Sequence, residues 1–75
     1  MNLSAAQKAS ALIQLAKATI TSIKEAGELG VPGGTLYAAM MTQGASLEQF
    51  ERFMSLVVAS GEVVKRGQLY VGVEK

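Results

Sequence analysis

The chain has no cysteine, no histidine and no tryptophan, and a single proline among 75 residues. Lack of cysteine excludes disulfides and thiolate metal sites, and it suits a protein working in a reducing cytoplasm. Lack of histidine removes the commonest general base, the commonest metal ligand and the usual switch near neutral pH. Charge is scarce too. Only 17% of residues are charged and the formal net charge is +1, which gives no global pull toward nucleic acid. No apolar run approaches the ~20 residues needed to span a bilayer, so no membrane partner is expected. With so few reactive side chains, no catalytic residue, metal site or cofactor is expected, and the chain reads as a non-enzyme.

What remains is apolar. A hydrophobic fraction of 49% argues for an ordered chain, and 75 residues allow one domain with one small core. The N-terminal stretch MNLSAAQKASALIQLAKA has lysines and no early acid, as targeting segments do, but Gln14 and Lys17 interrupt its apolar centre. It is expected to belong to the fold, because its removal would take away about a third of the core residues.

From Ser4 to Ala26 the spacing is helical. Ala9, Leu12, Ile13, Ala16, Ile20 and Ile23 share one face, and Gln14, Lys17, Thr21, Lys24 and Glu25 the other. Ser4 and Gln7 have the spacing of a capping box, and Gly27 or Gly30 with Pro32 would stop the helix. A short second helix is predicted over 34–43, with Leu36, Ala39 and Met40 inward and Tyr37 and Met41 flanking. Gly44 ends it. Ser46 and Gln49 repeat the capping-box spacing for a third helix over 47–60, whose face is Leu47, Phe50, Phe53, Met54, Val57 and Val58. Beyond Gly61 the period changes. Residues 62–73 read as a β-hairpin turning at Arg66-Gly67, and a lone hairpin must lie against the helices.

Several candidate chemistries fall away. The Gly33-Gly34 pair is followed by no Gly-Lys-Ser/Thr, so it is no phosphate loop. Glu48 and Glu51 lie three apart without a histidine or further acid to make them a catalytic or metal pair; they read as a solvated face. Ala11, Leu15, Ala18 and Ser22 form a narrow second stripe on the first helix, with small residues that would let a second copy approach closely.

The segments GGTLYAAMMTQG, SLEQFERFMSLVVASGEV and VKRGQLYV, in that order, resemble the winged helix-turn-helix superfamily, in particular its small bacterial and phage-type members. The resemblance spans about residues 12–73. It implies an α+β fold of three helices with a C-terminal β-hairpin wing. It also implies duplex DNA as a partner, with the third helix in the major groove and the wing on the backbone. On that pattern Ser46, Gln49, Arg52 and Ser55 would face bases or phosphates, and Lys65 and Arg66 would sit at the wing tip. Glu48 and Glu51 depart from it, since duplex affinity comes largely from cation–phosphate contacts. Two functions are therefore open: a DNA-binding regulator or accessory factor, or an interaction module that binds a partner protein, including itself through the first helix. Attachment of the lysine-bearing first helix to a membrane surface is a third reading.

Overall fold

The computed structural model describes residues 4–73. Helix α1 is Ala5–Glu25, followed by one 3₁₀ turn at Gly27–Leu29 and a two-residue strand β1, Val31–Pro32. Helix α2 is Gly33–Met41 and α3 is Leu47–Ala59; strands β2, Val63–Arg66, and β3, Leu69–Gly72, close the fold. This is the expected α+β layout, consistent with a winged helix. Residues 1–3 and 74–75 of the expected single domain lie outside the described residues. No described helix is long and apolar enough to cross a membrane.

Local signals account for the helix starts. Ser4 Oγ accepts from the Gln7 amide while Gln7 Oε1 accepts from the Ser4 amide, and Ser46 and Gln49 make the same reciprocal pair ahead of α3. Each pair satisfies two amides that a helix leaves unpaired at its first turn. Helix α2 begins at Gly33 and stops at Met41, so the segment expected over 34–43 is shifted and shorter; residues 42–44 form a turn instead.

Strand β1 was not foreseen. It pairs antiparallel with β3 (Val31 opposite Tyr70, Pro32 opposite Leu69), making a three-stranded sheet in the order β1-β3-β2. Pro32 is tolerated because β1 is an edge strand. The Gly33 amide then donates to the Gln68 carbonyl at 2.8 Å, tying the start of α2 to the hairpin loop. The hairpin turn also needs correction. Arg66 pairs with Leu69, so the loop is Gly67-Gln68 rather than Arg66-Gly67. Gly67 takes a positive φ of 61° and Gln68 does not, the type II′ pattern that matches strand twist.

The core lies where the C-terminal end of α1, the inner face of α3 and one face of the sheet meet. Ile20, Ile23, Phe50, Phe53, Met54, Val57, Val63 and Tyr70 are buried there, with Leu36, Tyr37 and Met40 half-buried at its edge. All three helix stripes prove narrower than the spacing predicts. Leu47 of α3 is exposed, and so are Ala9, Leu12 and Ile13 of α1 and Ala39 of α2. For α1 the cause is length. A 21-residue helix is about 31 Å long, and only its C-terminal half, from Ala16 on, packs against the core. The radius of gyration of 12.6 Å exceeds the ~11 Å of a compact chain this size, as a projecting α1 requires.

Candidate functional site

Two surfaces compete for a role: the outward side of α3 with the wing, and the space between the three helices. On α3, Ser46 is the N-cap, its hydroxyl held by the Gln49 amide at 3.1 Å, and Gln49 Oε1 is held by the Ser46 amide at 2.9 Å. Arg52 donates to Glu48 Oε1 at 2.6 Å, one turn away, with both side chains about three-quarters exposed. Ser55 Oγ donates to the Glu51 carbonyl at 2.9 Å. Each of the four residues expected to face DNA thus has a local bond within its own helix or cap.

The wing does not present its two cations together. Alternation along β2 sends Lys65 and Arg66 to opposite faces of the sheet. Lys65 shares the face of its cross-strand partner Tyr70 and places its ammonium 5.9 Å from that ring, within cation–π range. Arg66 lies on the other face, beside Val64 and Val71, in a shallow cleft shared with Lys24 and Glu28. The expected pair at the wing tip is therefore divided. The turn residues Gly67 and Gln68 take the tip itself.

The second surface is a groove of about 670 Å³ with walls from all three helices. Leu12, Leu15 and Thr19 of α1 form one wall, Leu36, Ala39, Met40 and Gln43 of α2 the floor and end, and Gln49, Arg52, Phe53 and Leu56 of α3 the other wall. Leu12, Leu15 and Leu56 are 42%, 49% and 52% exposed. The groove exists because α1 runs past the body with its apolar side still turned toward the other helices. Of the α1 stripe singled out in sequence, Ala11, Leu15, Ala18 and Ser22 are all exposed, and Leu15 alone of the four lines the groove.

No family model, curated protein or solved structure matches the chain. The candidate site thus stands on its own geometry. Sequence reasoning passed over Leu56 and counted Leu12 as core. The available signal was length, since α1 was already readable as longer than a 75-residue body is wide.

Proposed function

We propose that this protein is a winged-helix interaction module whose binding surface is the apolar groove between α1, α2 and α3. The observation that carries this reading is the half-exposure of Leu12, Leu15 and Leu56 around one groove. Burying such a side chain fully is worth about 1.5–3 kcal/mol, so each leaves roughly half of that stabilisation to a partner. Contiguous apolar surface of this kind marks interaction sites. The absence of cysteine agrees with the cytoplasm as its place of work.

Duplex DNA is the second reading, that of a small regulator or accessory factor. It is supported by three exposed cations, Arg52, Lys65 and Arg66. Two circumstances weigh against it: Glu48 already engages Arg52, and the wing cations diverge. About three phosphate contacts from one copy is at the weak end of duplex affinity.

A titration of a short duplex at about 50 and 200 mM NaCl separates the two readings. The expected result is a folded protein without duplex binding, whose groove takes up the apolar dye bis-ANS at nanomolar protein and loses it in Leu56→Glu. Salt-sensitive duplex binding that falls on joint Lys65→Ala and Arg66→Ala substitution would replace the interaction reading with the DNA one.

A further inference from the structure

The groove is apolar but not neutral. Among the described residues that line it, Arg52 is the only charged one. Its partner Glu48 lies outside the lining, and their bond is so exposed that another carboxylate can replace Glu48 at little cost. A guanidinium has five N–H donors, so Arg52 can also hold a second acceptor without leaving Glu48.

Gln49 adds a donor beside it. It lies three residues before Arg52, on the same side of α3, and it too lines the groove. The capping box decides which of its atoms is left over. Gln49 Oε1 accepts from the Ser46 amide at 2.9 Å, so the side-chain NH2 remains, without a partner among the described residues. Thr19, on the opposite wall, already donates its hydroxyl proton to the Leu15 carbonyl at 2.8 Å. The α3 wall thus offers two neighbouring donors, one of them cationic. That combination suits a carboxylate.

The walls decide what carries the carboxylate. They are helices whose backbone groups are bonded internally, so an extended peptide would find no main-chain partners here. A helix brings its own backbone bonds. A small apolar acid is the other candidate, but such ligands bury most of their surface in their sites. The half-exposed Leu12, Leu15 and Leu56 leave this groove too open for that. An amphipathic helix has the bulk to cover both walls.

Resting on the groove as the interaction surface, we infer that its partner is an amphipathic helix of another protein that carries a carboxylate beside its apolar stripe. The stripe packs between Leu12, Leu15 and Leu56, and the carboxylate accepts from Arg52 and Gln49.

Amphipathic peptides of about 18 residues test this, with leucine at i, i+3, i+4 and i+7 spacing and glutamate, glutamine or lysine beside the stripe. Binding to the whole chain is read by fluorescence anisotropy. The glutamate peptide is expected to bind about fivefold more tightly than the glutamine one, and the lysine peptide more weakly than either. Arg52→Gln should abolish that preference. Lys65→Gln, the same loss of charge outside the groove, should keep it. Leu56→Glu should weaken all the peptides at least about tenfold while circular dichroism shows the same helix content. A preference that survives Arg52→Gln, or that Lys65→Gln removes equally, overturns the inference. So does laurate that displaces bis-ANS where the glutamate peptide does not, which would make a small apolar acid the ligand. If no peptide binds while bis-ANS uptake still depends on Leu56, the acidic helix is wrong and the interaction module stands. Peptide binding that Leu56→Glu leaves untouched overturns both.

Discussion

A Cβ added at Gly30 would stand 2.6 Å from the carbonyl oxygen of Tyr70. Gly30 links the 3₁₀ turn to β1 at φ 68° and ψ −169°, a region open in practice to glycine alone. Strand β3 passes so closely that the new atom would meet the Tyr70 backbone first and the Val71 side chain at 2.8 Å as well. Gly30→Ala should therefore cost more than about 2 kcal/mol, from backbone strain and the displaced strand together. Gly34 is the contrast. It lies inside α2 with nothing within 4 Å of an added Cβ, so Gly34→Ala should stabilise by about 0.5–1 kcal/mol. Urea unfolding of the two variants checks both signs.

Ile23 and Leu29 lie six residues apart with opposite surroundings. Ile23 is fully buried where α1 meets α3 and the sheet, whereas Leu29 is 85% exposed. Ile23→Ala should cost about 2–5 kcal/mol, a large share of the stability of a chain this small. Leu29→Ala should fall within about 0.5 kcal/mol of wild type. Thermal melts would show the first variant unfolded or nearly so and the second unchanged. Similar losses for both would mean that the body of the fold lies elsewhere.

Ser46 separates a structural role from a DNA-reading one. Its hydroxyl accepts from the Gln49 amide, so Ser46→Ala should lower stability by about 1 kcal/mol and Ser46→Asp, which can still cap, should largely restore it. Urea midpoints for the pair are the measurement. Equal stability of all three proteins would free Ser46 from the cap and return it to the list of contact residues.

Features governed by local chemistry were legible in the sequence. Both capping boxes formed between the residues that their spacing named, and the glycines at 27, 30, 44 and 61 all take positive φ at the ends of elements. Features governed by distant partners were not. Strand β1 has two residues, too few to show a period, and exists only because β3 comes back beside it. The apolar spacing of α1 says nothing of what covers each residue, so Leu12, which is exposed, and Ile23, which is fully buried, look alike in the sequence. The hairpin shows how much one residue matters. A glycine can occupy either loop position, and moving the turn by one sends Lys65 and Arg66 to different neighbours.

The two acids of α3 offer the sharpest test of whether that helix can meet DNA. Glu48 lies in the first turn, where it favours the helix dipole, and it engages Arg52 at 2.6 Å. Joint Glu48→Gln and Glu51→Gln substitution leaves Arg52 with no acid on its own helix. The cost in stability should be under about 1 kcal/mol, because an exposed i,i+4 pair and a dipole contact are each worth a fraction of that. The gain should be duplex binding measurably stronger than that of the wild type. With Arg52, Lys65 and Arg66 as its cations, log K should fall with log salt with a slope near about −3. A fluorescence-anisotropy titration at several salt concentrations gives that slope directly. If the double variant binds no better than the wild type, repulsion by the acids is not what keeps DNA away. The divergence of Lys65 and Arg66 across the sheet is then the controlling feature, because three cations that cannot meet one phosphate backbone together gain nothing from losing an acidic neighbour.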